Sequence, residues 1–274
     1  MSDRIVITLG DDGVADVRLN RADKLNALDQ EMFEALVEAG DSLSAERGVR
    51  AVVLSGEGRA FSAGLDFASF AATAGARPSG GEAKPRRELF DRAGKSPANH
   101  AQRAAWVWKE VPVPVIAAIH GVAYGGGLQI ALGADIRLVA ADARLSVREL
   151  HWGLIPDMSG TQTLRRLVRS DVARELTYTA RIVDGAEAVA LGLATRVSAQ
   201  PREDALALAR EIAAHSPDAV RAAKELLEGA EQGDVASGLL LEERLQRSLM
   251  GKPNQVEAVR ANLEKRAPKF RDVE

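Results

Sequence analysis

Two segments of this chain have the composition of buried β-strands, and each is followed by a turn that carries glycine. Residues 50–55 precede the turn at 61–66, and residues 115–119 precede the turn at 124–129. The early part of the chain also carries apolar residues at steps of three and four, which is the period of an amphipathic helix. Strands that alternate with helices are joined by crossovers, so the pattern predicts an α/β fold on a parallel sheet.

Composition limits the class of protein before any site is considered. With 274 residues and 46% hydrophobic content, the chain can bury one substantial core with a smaller appendage, or two modest domains. The formal net charge of -3 argues against nucleic acid and membrane surfaces as partners. Cysteine is absent, which excludes disulfides and thiolate metal sites, and the four histidines show no metal-ligand spacing. The charged start and the lack of a long apolar run favour the cytoplasm.

The pattern of the chain changes near residue 198. We predict a core over residues 1–198 and a helical C-terminal region over residues 199–274, which packs on the core or on another subunit. Within the core, Asp29 is the predicted N-cap of an early helix. Residues 71–99 are rich in Gly, Ala, Pro, Arg and Ser without a sustained period, which fits either a lid over a site or simple disorder.

The two glycine turns suggest a binding site as well as a fold. Glycine permits φ > 0 and a close approach of a ligand, and a glycine run that opens a helix leaves N–H groups without intrahelical partners. Two such N–H groups that converge can hold one carbonyl oxygen. Tight turns explain glycines at strand-to-helix corners equally well, so the residues alone leave both interpretations open.

Four motifs, in the same order along the chain, resemble those of the crotonase (enoyl-CoA hydratase/isomerase) superfamily. The resemblance implies a ββα-superhelix core with a C-terminal trimerisation region, and a homotrimer or dimer of trimers. It also implies an acyl-CoA thioester substrate, so that coenzyme A arrives as part of the substrate and no cofactor is tightly bound. The motifs are Asn20–Leu28, Arg59–Asp66, His120–Gly127, and Gly153–Pro156 with Gly160–Gln162.

The resemblance assigns the two carbonyl-binding N–H groups to Leu65 and Gly126. Adding or removing a proton beside a thioester carbonyl places negative charge on its oxygen, and fixed N–H donors stabilise that charge. These donors are main-chain atoms, so replacing the side chain of Leu65 would test them poorly.

The acid–base residues depart from the hydratase pattern. Hydratases of the family place a glutamate where this chain has Gln129, and an amide cannot exchange protons at neutral pH. The second family glutamate matches Glu149, and Asp157 stands where dienoyl-CoA isomerases carry an aspartate. We therefore predict double-bond isomerisation with Glu149 as the base, while Gln129 orients water or substrate. Hydration and an inactive acyl-CoA-binding protein are the alternatives.

The site residues also have purely structural interpretations. Glu149 is close in sequence to Arg144 and Arg148 and can form an ion pair with either. Asp157 can cap the helix that is entered through Ser159.

The resemblance further implies residues that contact coenzyme A. The nucleotide would lie near the turn after Asn20 and near the first glycine turn, and a C-terminal lysine would reach the nucleotide bound in a neighbouring subunit. The implied contact residues are Lys24, Leu25, Ala27, Ala63, Asp66 and Lys265.

Overall fold

The computed structural model describes residues 3–68, 89–92 and 96–273. Most of the segment predicted as a lid or a disordered loop, 71–99, lies outside these ranges. The described chain folds into two sheets with helices packed on both faces of the larger one. The α/β fold with a mainly parallel sheet, predicted from the alternation of strands and helices, is confirmed.

The larger sheet has six strands in the order β1-β2-β3-β4-β6-β9. β1 is antiparallel to β2, as expected for a hairpin, and the remaining neighbours are parallel. A smaller sheet has the order β5-β7-β8. The strands are β1 (Ile5–Leu9), β2 (Val14–Leu19), β3 (Ala51–Gly56), β4 (Val115–Ile119), β5 (Val122–Tyr124), β6 (Ile136–Val139), β7 (Arg144–Ser146), β8 (Val183–Asp184) and β9 (Arg196–Val197).

Several helices begin after a residue whose side chain accepts a hydrogen bond from a free N–H group. The side chain of Asp29 accepts a hydrogen bond from the Met32 N–H, so its predicted capping role is confirmed. The helices are α1 (Gln30–Ala45), α2 (His100–Glu110), α3 (Gly126–Leu132), α4 (Gly160–Leu167), α5 (Ser170–Thr179), α6 (Gly185–Leu191), α7 (Pro201–Ala213), α8 (Pro217–Gln232), α9 (Val235–Leu249) and α10 (Pro253–Leu263), with 3₁₀ turns at Ala22–Lys24 and Glu149–Trp152.

The hydrophobic core lies on both faces of the larger sheet. Because side chains alternate along a strand, Val52 and Leu54 of β3 face one cluster and Ala51 and Val53 face the other. The first cluster includes residues of α1 and α2, and the second is closed by α7. Residue 198 thus marks a change from mixed to helical structure, while the helix that follows it completes the core.

Helix α8 is joined to the core by the buried ammonium group of Lys224. Lys224 of α8 donates to the carbonyl oxygens of Trp108 and Val113 and, at 2.8 Å, to the Asp135 carboxylate. Beyond α8, large apolar side chains are exposed, with Val235 of α9 81% exposed. Across the described residues, no helix combines the length and apolar character needed to cross a membrane.

The last helix is shorter than its sequence pattern suggests. The apolar stripe predicts a helix that continues to residue 267, whereas α10 ends at Leu263. Lys265 adopts left-handed backbone angles with φ of 52°, and the Arg266 N–H bonds to the Ala261 carbonyl. A hydrogen bond from the residue after the left-handed one to a carbonyl of the last turn is a C-terminal cap, and it ends the helix.

Candidate active site

The two glycine turns run side by side and are paired by a parallel β-bridge between Ser62 and Ala123. Two backbone hydrogen bonds form this pairing: the Ser62 N–H donates to the Val122 carbonyl at 3.0 Å, and the Tyr124 N–H donates to the Ser62 carbonyl at 3.1 Å. Gly64 has φ of 85°, and a Cβ at this position would lie 2.5 Å from the Tyr124 carbonyl oxygen. A side chain is therefore excluded at Gly64 by both backbone angle and contact.

Leu65 and Gly126 come shortly after the bridged residues in the two paired turns. Leu65 follows the Gly64 turn, and Gly126 is the first residue of α3, where the helix leaves N–H groups unpaired. Neither N–H forms a hydrogen bond within the described ranges, whereas the neighbouring Asp66 N–H bonds to Leu28. Both residues line one cavity. The structure thus leaves two backbone donors available at one cavity.

This cavity has a volume of about 440 Å³ and a mainly apolar lining. It holds two carboxylates, Glu149 and Asp157. We call it the apolar cavity. Its large apolar lining residues are Phe33, Leu65, Phe67, Leu89, Phe90, Trp152, Leu154, Ile155 and Met158.

Glu149 is the buried carboxylate of the apolar cavity. The residue is only 8% exposed and begins the 3₁₀ turn Glu149–Trp152. Oε1 accepts a hydrogen bond from Gln129 Nε2 at 2.6 Å, while buried Oε2 has no hydrogen-bond partner among the described residues. Burial raises the pKa of Glu149, the Asp157 charge adds to this, and the Gln129 hydrogen bond opposes it.

Glu149 does not form the ion pairs that its sequence neighbours allow. The Arg148 guanidinium donates to the Ala180 carbonyl and lies 5.8 Å from the centre of the Tyr124 ring. No ion pair in the described chain joins Glu149 to Arg144 or Arg148. Among the described residues, the Gln129 amide is therefore the side-chain hydrogen-bond partner of the carboxylate, and no arginine is paired with it.

Gln129 is buried behind Glu149. Its Oε1 accepts hydrogen bonds from the N–H groups of Met158 and Gly160, both at 2.9 Å, and its Nε2 donates to Glu149. One amide therefore ties the Glu149 carboxylate to the segment that enters α4. This geometry suits Gln129 for positioning Glu149, whereas the sequence suggested contact with water or substrate.

Asp157 lies at the exposed edge of the apolar cavity. Partial burial raises its pKa. Its side chain does not cap α4, because the N-cap of that helix is Ser159 and no side chain makes a capping bond there. Asp157 thus differs from Glu149 in its access to solvent.

Five of the six residues implied as coenzyme A contacts lie together. The Ala63 N–H bonds to the Leu25 carbonyl at 2.9 Å, which joins the turn around Lys24 and Ala27 to the first glycine turn. Asp66 accepts a hydrogen bond from the Arg21 guanidinium at 2.7 Å.

Lys265 is the sixth, and it lies in the exposed C-terminal tail. Its N–H bonds to Asn262. No hydrogen bond or ion pair of the described chain connects Lys265 to the turn around Lys24.

Sequence patterns alone give little indication of the residues that shape the apolar cavity. Trp152 is 56% exposed, and its ring lies 4.4 Å from that of Phe67, centre to centre. The helical position of Trp108 favours a core role, and it is fully buried. Trp152 has no periodic neighbour to mark it, because it lies in a short 3₁₀ turn.

Comparison with known proteins agrees with this geometry. The family model for enoyl-CoA hydratase/isomerase matches residues 10–273. A probable enoyl-CoA hydratase of Bacillus subtilis is 35% identical, with 90% of this chain and 91% of that protein aligned. The mitochondrial methylglutaconyl-CoA hydratase of Mus musculus is 33% identical over 94% of this chain and 80% of its own. The crystal structure of an enoyl-CoA hydratase from Bacillus anthracis superposes with a TM-score of 0.84 at 32% identity, covering 97% of this chain and 98% of that one.

Proposed function

Because this chain belongs to the enoyl-CoA hydratase/isomerase family, we propose that it isomerises the double bond of an unsaturated acyl-CoA through an enolate. The thioester oxygen is bound by the N–H groups of Leu65 and Gly126, and Glu149 is the base. Coenzyme A enters as part of the substrate, and no cofactor is tightly bound. The observation that carries the proposal is a buried carboxylate with an unpartnered oxygen in the same cavity as two N–H groups that have no partner among the described residues.

The proton transfers balance with Glu149 alone. In a 3-enoyl thioester, the Glu149 carboxylate removes a proton from C2, and the electron pair moves onto the carbonyl oxygen. The two N–H donors stabilise the resulting dienolate. Glu149 then returns the proton to C4, which gives the 2-enoyl thioester and restores the carboxylate. In a second route, protonated Asp157 donates to C4. Glu149 then releases to solvent the proton that it removed from C2, and Asp157 takes a proton from solvent, so both groups return to their starting states.

Burial adjusts Glu149 to this task. A base that must also act as an acid works best when its pKa lies closer to neutral pH than an ordinary carboxyl group. The apolar cavity raises the pKa of Glu149 in this direction. Gln129 holds Oε1 of the carboxylate, and Oε2 of this cavity-lining side chain has no hydrogen-bond partner among the described residues.

Hydration of a 2-enoyl thioester is the second candidate. The Bacillus subtilis and Mus musculus relatives described above are named as hydratases, and Asp157 is exposed at the cavity, where water can reach it. In that reaction Glu149 would activate water for addition at C3, and a proton would be delivered to C2.

Incubation in deuterated solvent separates these reactions. The pure protein is incubated with 3-enoyl, 2-enoyl and dienoyl thioesters, and the products are analysed by mass spectrometry. We expect deuterium at C4 of the product from the 3-enoyl substrate, because the returned proton exchanges with solvent. Addition of the mass of water without a shift of the double bond would establish hydration instead. Binding without any conversion would identify an acyl-CoA-binding protein.

Replacing Gln129 by glutamate tests the contact between Gln129 and Glu149. The new carboxylate keeps an oxygen for the Met158 and Gly160 N–H groups but no longer donates to Glu149, so the two carboxyl groups must share a proton. Since a base acts when ionised, we expect the acid limb of the kcat/KM profile to move up by about one pH unit or more. Gln200→Glu, at an exposed position outside the site, is the control. An unchanged profile would contradict the contact.

The nucleotide of coenzyme A is proposed to lie at the turn formed by Lys24, Leu25, Ala27, Ala63 and Asp66. Lys265 would act on the nucleotide bound in a neighbouring subunit, within a homotrimer or dimer of trimers. The support is the hydrogen bond that joins this turn to the first glycine turn and the exposed apolar side chains of α9.

A further inference from the structure

A second cavity, of about 500 Å³, adjoins the apolar cavity. Asp157 lines both cavities, whereas its neighbour Met158 lines only the apolar one and Ser159 only the second. The segment around Asp157 is therefore the wall between them, with the Asp157 carboxylate at the border. We call the second space the polar cavity, because its lining includes the side chains of Gln102, Thr161, Gln162 and Arg165.

Two polar groups of the polar cavity lack partners within the described chain. Ser159 Oγ is buried and has no hydrogen-bond partner there. Arg165, in the last turn of α4, forms no ion pair or hydrogen bond with any described residue. Arg166 beside it is compensated, since it binds Glu231 at 2.6 Å and lies 3.8 Å from Glu228. A hydroxyl group and a guanidinium group are thus both available to an incoming acceptor.

The charges that face this space favour an anion. The charges of Arg166 and Glu231 offset each other, so Arg165 and Asp157 are the remaining charged side chains of the lining. Asp157 lies at the border with the apolar cavity, whereas Arg165 lines only the polar cavity. The Arg165 guanidinium has no partner among the described residues, and guanidinium binds carboxylates through paired N–H groups.

We propose that the polar cavity receives the far end of the acyl group and selects acyl-CoA thioesters whose acyl chain ends in a carboxylate, bound by Arg165 and Ser159. This inference rests on the proposed function, because the thioester carbonyl must lie at Leu65 and Gly126 for the acyl chain to extend past Asp157. Arg165 is here a specificity residue and takes no part in proton transfer.

The test compares pairs of 2-enoyl or 3-enoyl thioesters of five to eight carbons that differ only in a terminal carboxylate or methyl group. For the best length, we expect kcat/KM of the wild type to be at least tenfold higher with the carboxylate. Arg165→Gln should lower that ratio about tenfold and change kcat/KM for the methyl-ended partner by less than twofold. Arg174→Gln, which removes an exposed arginine that lines neither cavity, should keep the wild-type ratio.

Two results would overturn the proposal: a wild-type preference for the methyl-ended thioester at every length, or an equal loss for both partners in Arg165→Gln. If no thioester is converted, the proposed function fails, and calorimetry with the saturated thioesters decides the inference separately. A tighter Kd for the carboxylate-ended thioester that Arg165→Gln abolishes would support the polar cavity. Equal Kd values for the two partners would refute it.

Discussion

Replacing Glu149 by glutamine is expected to lower kcat for the converted acyl-CoA by about 10²–10⁴-fold, the range typical of a general acid–base residue. Glutamine preserves the size of the side chain and an oxygen that accepts from Gln129 Nε2, so the local structure should be retained. What is lost is the carboxylate that is proposed to accept the proton from the substrate. Steady-state kinetics on the wild type and the variant, with KM for the acyl-CoA measured alongside, tests this.

A matched substitution separates the catalytic effect from a general one. Glu211 lies on α7 with an exposed side chain, so Glu211→Gln removes the same charge outside the site and should leave kcat within about twofold of the wild type. Wild-type turnover by Glu149→Gln would remove Glu149 from the mechanism and leave Asp157 as the acid–base residue.

The Glu149→Gln variant should be more stable than the wild type at neutral pH. Because burial raises the pKa of Glu149 in the folded protein, its contribution to stability is fully present below the unfolded-state pKa and is lost as pH rises through the folded-state value. Glutamine has no such dependence. We expect Glu149→Gln to gain about 0.5–2 kcal/mol in free energy of unfolding near neutral pH, with the gain fading near pH 4. A constant difference across pH would show that ionisation is not its cause.

Much of the fold followed from local patterns, whereas the contacts within the site did not. Asp29 and the apolar steps of α1 mark that helix in the sequence, because capping and periodicity act over a few residues. The hydrogen bond between Gln129 and Glu149 joins residues 20 positions apart. It depends on where the turn after β7 meets α3, and no short-range pattern records that distance.

The residues that line the two cavities were also not predictable from local sequence patterns. Phe67 and Trp152 are far apart in the chain, and only the fold brings their rings together. Arg165 has the sequence environment of an ordinary surface residue on a helix. Its position beside a second cavity depends on how α4 is placed relative to α2 and α8, whose residues also line that cavity, and this placement is tertiary information.

Replacing Gly64 by alanine is expected to lower kcat by about 10²–10³-fold, which corresponds to about 2.7–4 kcal/mol of lost transition-state stabilisation. The new Cβ would lie 2.5 Å from the Tyr124 carbonyl oxygen, and Gly64 has φ of 85°. Since a backbone atom cannot move aside as a flexible side chain can, the two glycine turns must separate. The Leu65 and Gly126 N–H groups would then no longer be close enough to bind one oxygen together as proposed. Kinetics should show a larger change in kcat than in KM.

The control for Gly64→Ala must place alanine at a similar positive φ, but at a position where the new Cβ contacts no other atom. Gly251 has φ of 76°, and a Cβ added there would have no atom within 4 Å; it lies between α9 and α10, outside both cavities. Gly251→Ala should therefore be destabilised by backbone strain to a similar extent as Gly64→Ala, while its kcat stays within about twofold of the wild type. Comparable kcat losses in both variants would mean that strain, and not the separation of two donors, limits the reaction. Full activity of Gly64→Ala would show that the enolate oxygen is stabilised elsewhere, because the two paired turns cannot accept a methyl group at Gly64 unchanged.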